Sequence, residues 1–391
     1  MALLETIDFI TNSIDNNEIA VGIFIDLKKA FDTVNHRILY DKLFHYGIRG
    51  LPLKWIISYL TERRQYVCIN ETNSCLKLIT CGVPQGSILG PLFFLVYIND
   101  LQYCSSVLNF VLFADDTNLF YSHKDIVSNV STLNLELENL GTWLKCNRLS
   151  LNVEKTCFIV FGNKKKTGSI HVELAINNSI INRVSSTKFL GLIVDESLTW
   201  LEHIHAVENK ISKMIGLLLK AKHHLCYDSM CVLYNAFIQP YIEYCNIIWA
   251  SNYKTRLERL IKLQKRAVRL VTKSGYLEHT GPLFKKTKIL TVNNVNALQV
   301  SIFMFKYYSH FLPAAFDGWF NVNSDFHEHN TRSKNDCHVM CCKTKLRAFS
   351  IKIHGPLVWN KIESEIKAAT SMSTFKKLVK NILLYDDAYD S

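Results

Sequence analysis

The spacing of apolar side chains separates a mixed first part of the chain from a helical second part. Residues 3–15 repeat apolar positions with the period of a helix, and Val21 to Leu27 form a nearly continuous apolar run, typical of a buried strand. The other elements predicted before residue 196 are, in chain order, a helix beginning near Lys28, a helix at 52–60, hairpin strands at 65–69 and 76–80, a helix at 91–101, strands at 107–113 and 117–121, a helix at 125–146, and strands at 157–161 and 188–194. Residues 1–195 are therefore predicted to form an α+β domain with an antiparallel sheet.

From residue 202 onwards the pattern is helical, which predicts a second domain over 196–320, followed by a polar linker and a small C-terminal region over 321–391. The helix predicted at 254–273 is strongly two-sided. Its apolar positions are Leu257, Leu260, Leu263, Ala267 and Leu270. Its cations, about a quarter-turn away, are Arg259, Lys262, Arg266, Arg269 and Lys273. One face is predicted to pack on the protein while its neighbour presents five positive charges.

Composition narrows the class of protein. The chain has 391 residues, of which 48% are hydrophobic, so it can bury a substantial core and is not a disordered protein. No signal-peptide pattern opens the sequence, and the longest apolar runs are too short to span a bilayer. The 12 cysteines are scattered, which favours reduced thiols. We therefore expect an intracellular protein of the nucleus, the cytoplasm or both, neither secreted nor bound within a membrane.

The net charge of +11 is unevenly distributed along the chain. Residues 1–120 carry 9 Lys and Arg against 12 Asp and Glu, whereas residues 201–290 carry 15 against 6. This asymmetry favours a polyanion as partner, held by the basic part while its reacting phosphate lies at the acidic part.

Two adjacent carboxylates, Asp115 and Asp116, stand between two apolar, strand-like runs, which predicts the turn of a β-hairpin. Two like charges side by side are stable mainly when they are exposed or face a cation. A lone Asp-Asp pair in a hairpin is usually only an exposed turn. Asp26, at the end of the predicted strand 21–27, would add a third carboxylate. Three such oxygen ligands suit Mg²⁺ and suggest a two-metal phosphoryl-transfer site.

Three segments, occurring in order, make this interpretation more specific. They are Ile25 to His36, Gly82 to Leu92 with its continuation to Leu101, and Phe113 to Asp116. Together they resemble the catalytic motifs of reverse transcriptases from non-LTR (LINE-type, jockey-like) retrotransposons. The resemblance continues through 149–156 and 188–191 and into the helices up to about residue 273. It implies a right-hand polymerase fold, with a palm and partial fingers in 1–195 and a thumb in 196–320.

The resemblance also implies a reaction, in which a primer 3′-hydroxyl attacks the α-phosphate of a dNTP with the help of two Mg²⁺ ions, or Mn²⁺ as a substitute. The implied partners are an RNA template, a DNA primer and dNTPs. The implied site residues are Asp26, Asp115 and Asp116 as catalytic metal ligands, Lys155 as proton donor to the leaving pyrophosphate, Phe31, Pro84, Gln85 and Gly86 at the nucleotide and template, and Phe189, Leu190 and Gly191 at the primer end. The five cations of 254–273 would contact the nucleic-acid backbone without reading its sequence.

Other interpretations stay open for individual residues. Phe31 could be a core residue, Lys155 an ordinary surface lysine, and the basic helix face merely solvated. Cys337, Cys341 and Cys342, with His327, His329 and His338 nearby, suggest a zinc site, although they lack the paired Cys-x-x-Cys spacing of such sites.

Two alternatives also stay open for the whole chain. Members of the family carry a fingers region before the first motif, whereas Asp26 follows only 25 residues here, so we expect an N-terminally truncated element. The main alternative to an active RNA-directed DNA polymerase is therefore a catalytically inactive remnant that at most binds nucleic acid. An intron-encoded maturase is a further alternative with a related fold.

Overall fold

The computed structural model describes residues 1–163, 167–168, 170–326 and 333–385. The chain begins with helix α1 (Ala2–Asp15) and then divides by its contacts into two compact units. The first, called the sheet unit below, comprises Asn17–Thr187. The second, called the helical unit, comprises Leu3–Asn16 together with Lys188–Ser391.

The sheet unit combines a six-stranded sheet with helices and a protruding ribbon. Its elements are β1 (Ile19–Ile25), α2 (His36–His45), α3 (Gly50–Leu60), β2 (Arg64–Gln65), β3 (Cys68–Ile69), β4 (Thr72–Asn73), β5 (Lys77–Leu78), α4 (Leu89–Ile98), β6 (Asn109–Phe113), β7 (Asp116–His123), α5 (Val130–Cys146), β8 (Cys157–Phe161), β9 (Leu174–Ile176) and β10 (Ser179–Arg183).

The strands of the large sheet lie in the order β6-β7-β1-β8-β10-β9. β1 is central and pairs antiparallel with β7 on one side and β8 on the other, and all seven of its residues are buried. This burial explains its nearly continuous apolar sequence, since a strand covered on both faces has no exposed side to keep polar. β8 and β10 form the one parallel pair among the described strands of this sheet. Helix α5 packs its buried leucines into the same core as β1 and α4.

Two local predictions in the sheet unit are wrong. The helix expected near Lys28 is a single 3₁₀ turn at Ala30–Asp32, because Lys29 adopts a left-handed backbone conformation (φ 48°). The next helix, α2, begins at His36, where the side chain of Asn35 accepts a hydrogen bond from the Ile38 backbone N–H. The hairpin at 65–80 exists, but its second strand starts earlier than expected, since its tip is the two-residue turn Asn70-Glu71 with both φ angles positive (45° and 66°).

The helical unit contains a short hairpin and a series of helices. Its elements after α1 are β11 (Ser186–Phe189, whose first residues belong to the sheet unit), β12 (Leu192–Asp195), α6 (Leu201–Ala221), α7 (Tyr227–Phe237), α8 (Gln239–Glu243), α9 (Asn246–Trp249), α10 (Lys254–Thr272), α11 (Thr280–Thr287), α12 (Val292–Tyr308), α13 (Lys345–Ala348), α14 (Ile351–Trp359), α15 (Ser364–Lys367) and α16 (Met372–Tyr385). The predicted class, α+β with an antiparallel sheet followed by a helical region, is confirmed. Within the described residues, no helix has the length and apolar character needed to cross a membrane.

The predicted boundaries were 195 and 320, whereas the two units divide between Thr187 and Lys188 without a further division near 320, and α1 belongs to the helical unit. Asp8 of this helix forms an ion pair with Arg347 (2.6 Å) and another with Lys352 (3.0 Å). The Asp15 carboxylate accepts hydrogen bonds from the backbone N–H groups of Lys343 and Thr344. These contacts tie the start of the chain to α13 and α14, so α1 belongs to the helical unit although its sequence precedes the sheet.

Candidate active site

Asp26 directly follows β1, and Asp116 is the first residue of the neighbouring β7, so both lie at the same edge of the large sheet. β1 ends at Ile25, which pairs with Thr117 of β7. Continuing this register by one residue places Asp26 opposite Asp116. Directly opposite residues of an antiparallel pair have Cα atoms about 4.5–5.5 Å apart and side chains on one face. The sheet therefore brings together two carboxylates that are 90 positions apart in the sequence.

Asp115 joins them through a tight turn. Phe113 pairs with Asp116, so the loop between β6 and β7 consists of Ala114 and Asp115 alone. Ala114 has a φ of 53°, a left-handed conformation that costs a non-glycine residue about 1–2 kcal/mol. The pKa of Asp116 is raised, first by partial burial and then by the negative charges of Asp115 and Asp26. The three predicted carboxylates thus form one acidic group whose mutual repulsion a bound cation would relieve.

A turn at 150–156 holds Asp26 from the other side. The backbone N–H of Asn152 donates to the Asp26 carbonyl (2.8 Å), and its side-chain Nδ2 donates to Asp26 Oδ2 (2.7 Å). Thr156, fully buried, accepts a hydrogen bond from the Asp26 backbone N–H (3.3 Å) through its hydroxyl. Lys155 Nζ lies 4.0 Å from the same Oδ2 atom. The predicted proton donor is therefore in the site, next to a carboxylate.

The glycine-containing loop at 82–90 packs against the segment that follows Asp26. The backbone N–H groups of Gly82 and Val83 donate to the carbonyls of Val34 and Phe31, both at 2.8 Å. Gly82 has a φ of 87°, and a Cβ there would lie 2.7 Å from the Asp32 carbonyl oxygen, so glycine is required. His36 Nε2 donates to the Gly82 carbonyl oxygen at 2.7 Å. The first two motifs therefore form one structural unit.

The residues predicted to contact nucleotide and template meet at this junction. Gln85 Nε2 donates to Asp32 Oδ1 at 2.9 Å, and both side chains are exposed. The ring of Phe31 is half-buried and packs on Phe94, with 4.7 Å between ring centroids. Phe31 is thus fixed by the core on one side and accessible on the other. The neighbouring Pro84 accepts a hydrogen bond from the Ser87 hydroxyl through its carbonyl, which shapes the turn before Gly86.

The donor set fits a hard divalent cation, although the described residues hold no closed metal cage. Carboxylate oxygens are the ligands that Mg²⁺ prefers, and this ion usually keeps waters and substrate phosphates in its shell. Among the described residues, no three His, Cys, Asp or Glu side chains are positioned to hold a metal by themselves. The described residues of the predicted zinc site, including Cys337, Cys341 and Cys342, therefore form no such group. His327 and His329 lie outside the described residues.

The residues predicted at the primer end lie in a hairpin, not in the single strand expected at 188–194. β11 and β12 are joined by Leu190 and Gly191, whose φ angles of 44° and 85° form a tight turn. Phe189 is buried, so only the tip of the hairpin is accessible. The hydroxyl of Tyr244 donates to the Leu190 carbonyl, and a Cβ on Gly191 would lie 3.1 Å from the Tyr244 ring. This tyrosine fixes the tip.

The five predicted cations all lie on or at the end of α10, but its buried face differs from the prediction. Leu263 and Leu270 are only half-buried, and the buried residues are Leu257, Leu260, Gln264, Ala267, Val268 and Val271. At 100° per residue the cations are therefore on the opposite side of the helix from the core. Gln264 can be buried because its amide donates to the Tyr234 hydroxyl and the Leu290 carbonyl and accepts from the Val292 N–H.

The cations are not equivalent. Arg259 Nε lies 3.5 Å from Oε2 of Glu208, a carboxylate on α6 that is only 2% exposed. Arg269 Nε donates to the Glu278 carbonyl at 2.8 Å. Lys262 pairs with Glu258 one turn earlier, but both side chains are largely exposed. Arg266 and Lys273 are exposed. Arg259 and Arg269 therefore support the fold, whereas Lys262, Arg266 and Lys273 are available to a partner.

Replacing Arg259 by alanine is expected to lower the free energy of unfolding by about 1–3 kcal/mol, because it leaves the buried Glu208 carboxylate unpaired. Lys262→Ala removes only an exposed pair, worth about 0.5 kcal/mol or less, and serves as the matched control. Urea unfolding of both variants measures the difference. Adding Glu208→Gln to Arg259→Ala should recover part of the loss. Equal stability of the two single variants would show that Arg259 has no structural role.

Comparison with known proteins identifies the family of the region that contains the large sheet. The family model for reverse transcriptase (RNA-dependent DNA polymerase) matches residues 4–194. The chain carries a reverse transcriptase domain. The matched range contains Asp26, Asp115, Asp116, Lys155 and the hairpin tip, so the predicted resemblance is confirmed.

Two curated relatives extend the comparison beyond this domain. The RNA-directed DNA polymerase from mobile element jockey of Drosophila melanogaster is 27% identical over 301 residues, which cover 73% of this chain and 32% of that protein. The probable RNA-directed DNA polymerase from transposon BS of the same species is 28% identical over 303 residues, covering 72% and 32%. The reverse transcriptase domain is therefore homologous to those of non-LTR retrotransposons, and the matched part of the chain spans about a third of these relatives.

One solved structure is also similar, at a low level. The telomerase of Candida albicans, in complex with a TWJ fragment of telomeric RNA, has 14% sequence identity and a TM-score of 0.40, covering 74% of this chain and 54% of that one.

The sequence analysis assigned no individual role to three residues that shape the candidate site. Asn152 and Thr156 bind Asp26, and His36 binds the loop at Gly82. Their only signal was position, since all three lie inside segments that resemble the family motifs. Their partners are 126, 130 and 46 positions away in the sequence, so the contacts themselves required the fold.

Proposed function

We propose that this domain is an RNA-directed DNA polymerase that adds deoxynucleotides to the 3′-hydroxyl of a DNA primer on an RNA template. The observation that carries the proposal is the acidic group at one sheet edge, where partial burial and then the charges of Asp115 and Asp26 raise the pKa of Asp116. A site that concentrates negative charge in this way favours divalent cations, and those cations favour phosphates. The matched family supplies the reaction class.

In this proposal Asp26, Asp115 and Asp116 bind two Mg²⁺ ions, for which Mn²⁺ can substitute. When bound, the ions would ease loss of the primer hydroxyl proton and neutralise charge on the leaving pyrophosphate. Lys155 donates a proton to that pyrophosphate. Its side chain is 71% exposed and its ammonium group lies 4.0 Å from Asp26, which is compatible with a mobile proton donor at the site.

The half-buried ring of Phe31 is proposed to lie beneath the nucleotide sugar and to exclude a 2′-hydroxyl. Its contact with Phe94 supports this role, because a ring held on one side cannot move away from a larger sugar. Pro84, Gln85 and Gly86 are proposed to lie against the templating pair, and the Gln85–Asp32 hydrogen bond orients that loop. The hairpin tip at Leu190 and Gly191, with Phe189 beneath it, is proposed to position the primer end.

The exposed cations of α10 are proposed to hold the template–primer duplex. Arg and Lys contacts to phosphates fix a duplex without reading its sequence, as a polymerase requires. Lys262, Arg266 and Lys273 lie on the solvent side of the helix, which supports this role. Arg259 and Arg269 contribute mainly through the fold.

The test is extension of a labelled DNA primer on an RNA template with dNTPs and Mg²⁺, comparing the intact chain with Asp115→Ala. We expect extension by the intact chain and none by the variant, with equal binding of the primer–template by both. Binding without extension by the intact chain would instead support the inactive remnant. Absence of both binding and extension would contradict the proposed function and leave an inactive remnant that does not bind nucleic acid.

A further inference from the structure

Two potential hydrogen-bond donors lie near the same oxygen of the Asp26 carboxylate. Asn152 Nδ2 donates to Oδ2 at 2.7 Å, and Lys155 Nζ lies 4.0 Å from the same oxygen. The lysine is only one turn of chain away from the asparagine and is largely exposed, so its ammonium group is free to move. At present the amide makes the hydrogen bond, and the ammonium stands outside hydrogen-bonding distance.

Backbone hydrogen bonds on both sides of Leu151 hold the Asn152 main chain in place, and with it the side-chain amide. Leu27 and Leu151 form an antiparallel bridge, flanked by hydrogen bonds from Lys28 N–H to the Ser150 carbonyl and from Asn152 N–H to the Asp26 carbonyl, both at 2.8 Å. The Asn152 carbonyl in turn accepts from the Thr156 hydroxyl at 2.9 Å. The amide is therefore presented to Asp26 from a fixed frame.

We propose that Asn152 is a positioning residue that keeps Asp26 available to a divalent metal, by occupying Oδ2 and keeping Lys155 at 4.0 Å, outside direct hydrogen-bonding contact. An amide donor orients the carboxylate but leaves its negative charge in place. A direct ammonium pair would neutralise that charge and turn it away from Asp115 and Asp116. Such outer partners of metal ligands typically contribute on the order of 10–100-fold to metal affinity or activity. This inference rests on the proposed function for its meaning, but its test does not require catalysis.

The test is a titration of the intact chain and its variants with Mn²⁺, in which electron paramagnetic resonance measures the concentration of the free ion. Asn152→Ala is expected to weaken Mn²⁺ binding on the order of 10-fold. Asn134→Ala is the matched control, because Asn134 also hydrogen-bonds the backbone, at Glu173 and Ala175, but belongs to α5. It should leave the affinity unchanged.

Two further variants separate positioning from a general structural role. Gln264→Leu removes a buried amide that joins three segments of the helical unit, so it should lower stability while leaving Mn²⁺ affinity near that of the intact chain. Lys155→Met added to Asn152→Ala should restore affinity, because the competing ammonium is gone. Equal loss of affinity in Gln264→Leu and Asn152→Ala, or no recovery in the double variant, would overturn the proposal. If the intact chain binds Mn²⁺ but does not extend a primer, the proposed function fails while this inference stands.

Discussion

Asp116→Asn is expected to reduce the rate of primer extension by at least about a hundredfold, because in the proposed function it removes a charged ligand of a metal site that would supply several kcal/mol of transition-state stabilisation. The substitution keeps the shape of the side chain and its place opposite Phe113, so the hairpin should remain intact. Single-turnover incorporation of one dNTP measures the effect. A variant that retains more than a tenth of the intact rate would show that Asp116 is not a catalytic ligand.

The same substitution should stabilise the metal-free protein at neutral pH. The pKa of Asp116 is raised above its ordinary value of 3.8 by partial burial and by Asp115 and Asp26. For an acid, a higher pKa in the folded state means that ionisation costs folding stability. That cost is absent well below pH 3.8. It grows as the pH rises from 3.8 towards the raised pKa of the folded state, and it persists at higher pH. Asp116→Asn should therefore match the intact chain in acid and exceed its melting temperature at pH 7.

The control for both effects is Asp41→Asn, the same substitution at an exposed carboxylate on α2. It should change neither the extension rate nor the pH dependence. Saturating Mg²⁺ should raise the melting temperature of the intact chain more than that of Asp116→Asn. Loss of activity without any gain in metal-free stability would mean that the three carboxylates do not repel each other as the geometry indicates.

Removing the three available cations of α10 is expected to weaken binding of an RNA–DNA hybrid in a salt-dependent way. The variant combines Lys262→Ala, Arg266→Ala and Lys273→Asn, with asparagine because Lys273 has a φ of 57°. Each lost phosphate contact should lower the slope of log affinity against log salt by about 0.9. The ratio of the intact chain's affinity to that of the variant should therefore fall roughly 40-fold as the salt concentration rises from 50 to 200 mM.

A matched control removes three exposed lysines elsewhere, Lys145, Lys376 and Lys377, by alanine substitution. It lowers the net charge by the same amount, so it isolates the effect of position. Fluorescence anisotropy of a labelled hybrid at several salt concentrations gives both slopes. An unchanged slope in the α10 variant, or an equal change in the control, would contradict a duplex-binding role for this face.

The parts of the fold that periodicity describes well were predictable from the sequence. β8 appears at its predicted bounds, and β1 and α5 overlap theirs, although β1 lies two residues earlier than 21–27 and α5 begins at Val130 and not at 125. Each buries a continuous or regularly spaced apolar surface, which the sequence pattern records. The hairpin turn at Asp115 was also predictable, since few residue types suit a two-residue loop. The order of the three motifs then gave the family, which the comparison confirms.

What the sequence did not reveal depends on backbone conformations that side-chain patterns do not record. Lys29 and Leu190 adopt positive φ angles without being glycine, which ends a predicted helix and splits a predicted strand. Gln264 is buried because three partners from distant segments satisfy it, which shifts the buried face of α10. The Asn152–Asp26 contact joins segments 126 residues apart, and it depends on the pairing of Leu27 with Leu151. The roles of the individual site residues stay predictions.

In the proposed function, the carboxylates at this sheet edge catalyse nucleotide addition directed by RNA. The decisive measurement is incorporation of a single dNTP, with Mg²⁺ and a DNA primer annealed to RNA templates that differ only in the next base. We expect the intact chain to add only the nucleotide complementary to each template, and Asp115→Ala to add none. No incorporation by the intact chain, or incorporation independent of the template base or of Asp115, would contradict it.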